Sequence, residues 1–331
     1  MPSSKKLLNP KIALPVKSAS ESKATIKTSE RTEFLTNANA KSLSSKIEFF
    51  LISLNGTVYV EDSNRNKTLT PRAAAAYLTL QNNGKKYKFV TNTSRESDDK
   101  TQQLLASIGF GISKNDIYSS LTSTRDYLIK NELRPHLLVS DEVLAEQFSD
   151  LHTMLHRPNS VVVGLAPEKF NYANINKCFR LLARDKERKL IAINNGRHCL
   201  TPDGLSLGTG PFIKILESAS NREAVAVGKP SHLFYWNVLE SLGVTDPLTA
   251  VMIGDDVRED VIGALAVGMH VCLVKTGKYK AGDELTAIAF SRGEDLVEVP
   301  VEERCLVVDT FADAVSLLVK KVVEVGANVL L

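Results

Sequence analysis

The chain has 331 residues, of which 43% are hydrophobic and 24% are charged, as is typical of globular proteins. It contains no run of about 18 apolar residues, which excludes an ordinary membrane-spanning helix. Its four cysteines share no close spacing, which argues against a disulfide scaffold or a structural zinc site. The net charge of +3 is unevenly divided, because residues 1–46 carry nine basic and three acidic side chains and the remainder is slightly acidic.

Residues 1–46 differ in composition from the rest of the chain. They are basic, rich in Ser and Thr, and without a sustained apolar period, so we expect a disordered tail that cannot bury enough surface to fold. Free cysteines favour a cytoplasmic location. The acid-poor composition of the tail also fits a transit peptide, so the alternative is import into an organelle. A nucleic-acid arm is possible, but no interleaved aromatic side chains support it, so a nucleic-acid partner is not expected. A membrane partner is not expected either, since the chain has no long apolar run.

From Ile47 onwards, short apolar runs alternate with helical patterns. The run Phe49-Phe50-Leu51-Ile52 stops at Asn55-Gly56, which is typical of a buried strand followed by a turn. Pro71 lies where a helix can begin, because its missing N–H costs nothing there. The strands predicted in this half are 49–52, 87–90 and 137–139, and the helices are 71–80, 96–108 and 123–130.

A second unit follows with an α/β pattern of its own, in which strands are predicted at 161–163 and 190–193 and helices at 172–183 and 212–219. Beyond it, the first pattern resumes with helices that begin at Ser231 and Phe311, the latter predicted over 311–323. The strands predicted in this last part are 224–227, 250–253, 271–274 and 306–308.

This order predicts an α/β fold, a doubly wound parallel-sheet core with an inserted α/β cap domain. An insertion of roughly 80 residues is large enough for a small domain. The predicted boundaries are 1–46 for the tail, 47–140 for the first part of the core, 141–221 for the cap and 222–331 for the second part of the core.

Polar clusters follow four of the predicted strands, at 53–57, 91–93, 228–230 and 254–256. Ligands of open parallel sheets bind beyond the carboxyl ends of the strands, so we expect these clusters to share one site. One such cluster is weak evidence, because polar residues often end strands. Four clusters with complementary chemistry predict a ligand site.

Their chemistry suits a phosphate group and a divalent cation. Thr91 offers a hydroxyl, Asn92 offers its backbone N–H, and Lys229 offers a positive charge, all of which bind phosphate. Asp255 and Asp256 supply the hard oxygen ligands that Mg²⁺ prefers. The sequence therefore predicts a phosphate and magnesium site.

Asp260 follows closely enough to orient a ligand or to pair with Lys229. A purely structural alternative stays open, in which Asp255 and Asp256 cap a helix and Lys229 lies in solvent. The joint occurrence of four clusters favours the ligand site over this alternative.

These clusters, in this order, resemble the four motifs of the haloacid dehalogenase (HAD) superfamily, and the inserted unit resembles the C2-type cap of its NagD-like phosphatases. The resemblance covers the chain from about Ile47 and implies a Mg²⁺-dependent phosphatase fold. It also implies that Asn194, at the end of a cap strand, approaches the substrate. The segments that carry it are Phe89–Thr93, Gly164–Glu168, Asp203–Gly208, Val251–Arg258 and Val274–Tyr279.

The first motif departs from the family pattern Asp-x-Asp-Gly-Thr. In the family, the first Asp is the nucleophile and a metal ligand, and the second is the general acid/base, whose backbone carbonyl also binds the metal. Here the motif reads Ser53-Leu54-Asn55-Gly56-Thr57, so both carboxylates are absent. Ser53 is a poor nucleophile without an adjacent base, and Asn55 exchanges no proton at neutral pH.

The resemblance therefore implies a weakened Mg²⁺ site formed by the Asn55 carbonyl, Asp255 and Asp256. Two hypotheses follow. The first is a pseudo-phosphatase that retains a phosphate and magnesium pocket and acts by binding or regulation. The second is an active Mg²⁺-dependent phosphatase that hydrolyses a small phosphomonoester by an altered route. In both, the expected partner is phosphate or a small phosphorylated molecule, and self-association through the cap is possible.

Overall fold

The computed structural model describes residues 43–62, 66–152, 157–201, 204–283 and 301–319, all within one compact unit, Glu33–Leu331. The tail predicted over 1–46 therefore lies outside the described residues except for its last four. Leu43 is already buried in the core, so the folded part begins before Ile47. No helix in the described ranges has the length and apolarity needed to cross a membrane.

The strands, in chain order, are β1 Phe49–Ser53, β2 Tyr59–Glu61, β3 Lys67–Leu69, β4 Lys86–Thr91, β5 Ile117–Ser119, β6 Pro135–Leu138, β7 Ser160–Val163, β8 Lys189–Ala192, β9 His198–Thr201, β10 Gly204–Leu207, β11 Ala224–Ala226, β12 Ala250–Gly254, β13 His270–Val274 and β14 Cys305–Val308.

The helices are α1 Ala73–Asn82, α2 Asp98–Ser107, α3 Ser120–Lys130, α4 Asp141–Gln147, α5 Ser149–His152, α6 Tyr172–Ala183, α7 Gly210–Ser220, α8 His232–Leu242, α9 Gly263–Ala266, α10 Val301–Arg304 and α11 Phe311–Leu318. A π-helical segment, Val257–Ile262, directly precedes α9. The remainder of the helix predicted over 311–323 lies outside the described residues from position 320 onwards.

The core is a six-stranded parallel sheet in the order β14-β13-β12-β1-β4-β5. Strands β1, β12 and β13 are buried along their whole length. Apolar side chains cover both faces of this sheet, as two separate clusters. A continuous run of apolar residues is the pattern required of a strand packed on both sides, which explains why these strands could be predicted. The doubly wound α/β core is confirmed.

The cap is a second parallel sheet, of four strands in the order β11-β8-β7-β6, with apolar clusters on both faces. The boundaries predicted for the cap, 141–221, are wrong, because β6 and β11 lie outside them and pair with cap strands. The insertion therefore extends from about Pro135 to Ala226. Both strands resemble core strands in sequence. A buried strand has the same apolar pattern in either parallel sheet, so the local sequence does not indicate which sheet it joins.

His270, the first residue of β13, is 7% exposed, and its Nδ1 has no hydrogen-bond partner in the described part of the chain. Burial and the nearby charges of Arg304 and Lys46 lower its pKa to about 4. A histidine whose pKa is lowered by folding stabilises the protein above its unfolded pKa and loses that contribution as the pH falls.

We predict that titration of this histidine lowers the free energy of unfolding by about 3 kcal/mol as the pH falls from 6.5 to 4. The measurement is the free energy of unfolding in urea across this range, for the wild type and for His270→Gln, which does not titrate. The variant should show a smaller loss. Equal pH dependence in the two proteins would contradict the prediction.

Candidate functional site

Parallel pairing brings three of the predicted clusters to one edge of the core sheet. In the register of β1 with its neighbours, Ser53 lies opposite Val90 and Ile52 lies opposite Ile253. The strands therefore end together, and Ser53, Thr91 and Asp255 meet beyond their carboxyl ends. Ser53 is 5% exposed and Asp255 is 2% exposed, whereas Thr91 is half-buried.

Lys229 reaches this edge from the other sheet. It follows β11, which the predicted boundary at 222 assigned to the core but which pairs with a cap strand. Its backbone is held by the Asn92 side chain, whose Nδ2 donates to the Lys229 carbonyl at 2.8 Å and whose Oδ1 accepts from the Lys229 N–H at 2.8 Å. Asn92 therefore fixes the lysine, in addition to its predicted phosphate contact.

The Lys229 ammonium lies between two side chains of the core. Its Nζ is 3.1 Å from Ser53 Oγ and 2.6 Å from Asp260 Oδ1. Both members of the ion pair are almost fully buried, with side chains 3% and 1% exposed. Asp260 Oδ2 also accepts the Asp256 N–H at 3.2 Å, so one carboxylate orients both the lysine and the end of β12.

Protein donors surround the two aspartates after β12. Asp255 Oδ1 accepts from the Thr57 hydroxyl at 3.1 Å, and its Oδ2 accepts from the Lys278 N–H at 2.9 Å. Burial and the charge of Asp260 raise the pKa of Asp255. Asp256 is the N-cap of the π-helical segment, as the structural alternative expected, because its Oδ1 accepts from the N–H groups of Arg258 and Glu259.

Lys278 is a functional candidate to which the sequence assigned no role. Its Nζ pairs with Asp256 Oδ2 at 2.9 Å, and it lines the same cavity as Ser53. Burial disfavours the charged form of Asp256, but the Lys278 ammonium and the backbone N–H donors favour it more strongly. The net effect is a lowered pKa of the Asp256 carboxyl. The sequence did contain one indication of a role for Lys278. It lies in Val274–Tyr279, one of the segments that resemble the family, although none of the predicted site residues lies there.

The site opens into a cavity of about 680 Å³ between the core and the cap. The side chains of Asn55, Asn194 and Lys229 contribute to its wall together with Ser53. Asn55 is exposed, and Asn194 is half-buried. Other polar residues of the wall that the sequence did not single out are Glu61, Lys67, Arg95, Glu96, His198 and Glu259.

Asn194 connects the cap with the loop that follows β4. Its Nδ2 donates to the Asn92 carbonyl at 3.1 Å and to Ser94 Oγ at 2.7 Å. The structure therefore shows a positioning contact for this side chain, while its predicted contact with substrate stays a prediction.

Two glycines make room for the Asp255 carboxylate. A Cβ on Gly56 would lie 2.0 Å from Asp255 Oδ2, and a Cβ on Gly277 would lie 2.3 Å from the same atom. Gly56 also has a φ of +86°, a left-handed conformation that L-residues avoid. The first and fourth motifs are therefore packed against each other without space for a side chain.

We predict that Gly56→Ala lowers the free energy of unfolding by about 2 kcal/mol more than Gly84→Ala does, as expected for steric overpacking. Gly84 is the matched control, because it has a φ of +61° but no atom lies within 4 Å of the place that a Cβ would occupy there. Urea unfolding of both variants measures the difference. Equal destabilisation would show that only backbone strain matters at Gly56.

The family to which the chain belongs follows from comparison with known proteins. Residues 50–153 match the family model described as haloacid dehalogenase-like hydrolase, and residues 226–314 match the model described as HAD-hydrolase-like. The haloacid dehalogenase-like hydrolase domain-containing protein 2 of Rattus norvegicus is 45% identical over 236 residues, which cover 71% of this chain and 86% of the relative. The chain belongs to the haloacid dehalogenase superfamily. The family predicted from the motifs is confirmed.

Other known proteins are similar to the chain in sequence or in fold. The phospholysine phosphohistidine inorganic pyrophosphate phosphatase of Danio rerio is 39% identical over 209 residues, which cover 63% of this chain and 76% of the relative. The structure of 4-nitrophenylphosphatase from Thermotoga maritima covers 83% of this chain and 99% of its own, with 22% identity and a TM-score of 0.69. NagD from E. coli covers 80% and 98%, with 19% identity and a TM-score of 0.66. These two structures show that the HAD chain has the NagD-like fold with its cap.

HAD phosphatases generally use Mg²⁺, and the donor set here does not fit a resident Mg²⁺ ion. Among the described residues, no cluster of three or more His, Cys, Asp or Glu side chains is arranged to hold a metal. Ser53 supplies a neutral hydroxyl that faces an ammonium group, and both oxygens of Asp255 already accept hydrogen bonds. Asp256 is engaged as a helix cap and with Lys278, so Asp255 is left as the one carboxylate ligand, beside the Asn55 carbonyl, for an ion that binds mainly through carboxylates.

Proposed function

We propose that this HAD protein is a pseudo-phosphatase, which binds phosphate or a small phosphomonoester in the cavity at Ser53 and Lys229 and acts by binding or regulation. The observation that carries the proposal is the contact between the Lys229 ammonium and Ser53 Oγ. An ammonium group that pairs with Asp260 and donates to a hydroxyl cannot also remove the proton of that hydroxyl.

Ser53 is therefore not an activated nucleophile. A serine hydroxyl needs an adjacent general base to attack an electrophile, and its described neighbour is an ammonium group. Asn55 offers no proton to a leaving group, and general acid/base catalysis by itself contributes about 10²–10⁴ in rate. The pocket thus retains the groups that bind a phosphate and lacks the groups that cleave its ester.

The test combines binding and turnover. Calorimetric titration with inorganic phosphate should show binding to the wild type and to Lys130→Met, whose side chain is 66% exposed. In Lys229→Met, checked for folding by circular dichroism, we expect the dissociation constant to rise at least about tenfold. Lack of binding to the wild type would contradict the proposal.

The same wild-type protein should not hydrolyse p-nitrophenyl phosphate in the presence of Mg²⁺ faster than protein-free buffer does. A turnover of about 1 s⁻¹ or more, ordinary for an enzyme, would instead support an active Mg²⁺-dependent phosphatase. That second candidate is favoured by the retained Thr91, Lys229 and Asp255 and by the relative named as a phosphatase.

A further inference from the structure

We infer that the pocket binds a phosphate dianion without Mg²⁺. The inference rests on the proposed function, because it concerns the same pocket, and it adds that no metal ion is required for binding. It starts from the observation that HAD phosphatases generally use Mg²⁺, whereas the side chains of this pocket do not fit a resident Mg²⁺ ion.

The charge at position 53 is the first reason. A carboxylate there would face the phosphate with a like charge, and a cation must then separate the two anions. Ser53 removes this repulsion together with one metal ligand. The same substitution that weakens the metal site therefore also removes the electrostatic reason for a metal in binding.

The supply of hydrogen-bond donors is the second reason. The Lys229 ammonium has three N–H bonds, and its contacts with Ser53 and Asp260 use two of them. Ser53 Oγ accepts from Lys229, and Thr91 Oγ1 accepts from the Thr93 N–H at 3.3 Å, so both hydroxyls keep a hydrogen to donate. One ammonium and two hydroxyl donors thus converge on the end of the sheet.

The third reason is that the oxygens on the acidic side of the pocket already have protein donors. The Asp255 oxygens accept from Thr57 and from the Lys278 backbone, and Asp256 pairs with the Lys278 ammonium. These carboxylates depend on protein donors rather than on a metal ion. Lys229 and Lys278 both lie on the cavity wall, so two ammonium groups, each beside its paired carboxylate, line the cavity that would receive the dianion.

The experiment is calorimetric titration of the full chain with inorganic phosphate, once with a chelator and once with Mg²⁺. We expect dissociation constants that differ by less than about threefold. Binding that requires Mg²⁺ would overturn the inference and leave the proposed function standing. Lack of binding in both conditions would overturn the proposed function itself, and the inference with it.

Variants at position 53 sharpen the test. Ser53→Asp should weaken binding in chelator at least about tenfold, because like charges are brought together, and Mg²⁺ should restore it. Ser107→Asp, at an exposed helix end, is the control for added charge and should bind as the wild type does. Ser53→Ala, which removes the hydroxyl without adding a charge, should weaken binding by no more than about tenfold and without Mg²⁺ dependence. If Ser53→Ala acquires Mg²⁺ dependence, the charge argument is wrong.

Discussion

The double variant Ser53→Asp/Asn55→Asp is expected to hydrolyse p-nitrophenyl phosphate in Mg²⁺ at least about 10²-fold faster than the wild type. The substitutions restore a carboxylate nucleophile and a residue that can exchange a proton with the leaving group. The other side chains of the proposed site are already beside them, since Thr91, Lys229 and Asp255 line the same cavity.

The geometry favours this gain. An aspartate at position 53 would lie beside the Lys229 ammonium, which is 3.1 Å from the present Ser53 Oγ, so it would have a charged hydrogen-bond donor that it shares with Asp260. It would also supply, with Asp255, the second carboxylate that the present donor set lacks for Mg²⁺. The same change therefore restores a nucleophile and a metal ligand.

The matched control is Ser53→Asn/Asn55→Asp, which has nearly the same side-chain volume but no carboxylate nucleophile. It should remain as inactive as the wild type, since a carboxamide cannot form the acyl-phosphate. If the Asp/Asp variant is folded and also inactive, the loss of activity has causes beyond the first motif. If the wild type is as active as the Asp/Asp variant, the pseudo-phosphatase proposal is wrong.

The second large effect concerns stability. Lys229→Met is expected to lower the free energy of unfolding by about 3–5 kcal/mol, because it leaves the buried Asp260 carboxylate without its partner. Asp260 is 1% exposed, so water cannot replace the ammonium group. Urea unfolding monitored by circular dichroism measures this loss.

Two controls separate the buried pair from the loss of a lysine. Lys130→Met breaks the exposed pair with Glu240 and should cost no more than about 1 kcal/mol. The double variant Lys229→Met/Asp260→Asn should be less destabilised than Lys229→Met, because the uncompensated charge is then absent. Equal destabilisation of these two proteins would show that packing, rather than charge, makes Lys229 important.

The sequence predicts the core strands well and the division between the sheets poorly. Continuous apolar runs such as 250–253 can only be buried strands or helices, and their short length decides between the two. The strands β6 and β11 have similar patterns, but their neighbours are chosen by long-range pairing. A local pattern records that a strand is buried, and it does not record which sheet buries it.

The prediction of the site from the sequence has the same limit. Residue types and their order predict which side chains bind phosphate, because chemistry restricts which side chains can bind a dianion. The contacts that position them are non-local: the Asn92 amide holds the Lys229 backbone, and Asn194 holds the Asn92 loop. Lys278 was missed because a lysine after a strand is most often solvated, and only the fold brings it to Asp256.

The central claim is that the pocket holds a phosphate by noncovalent contacts and does not process it. A crystal structure of the wild-type protein soaked with inorganic phosphate and Mg²⁺ tests this most directly. We predict a phosphate ion within hydrogen-bond distance of Lys229 Nζ, Ser53 Oγ and Thr91 Oγ1, with no bond to Ser53. A pocket that stays empty of phosphate would contradict it, and so would a phosphoryl group covalently attached to Ser53 after a soak with p-nitrophenyl phosphate, which has a leaving group.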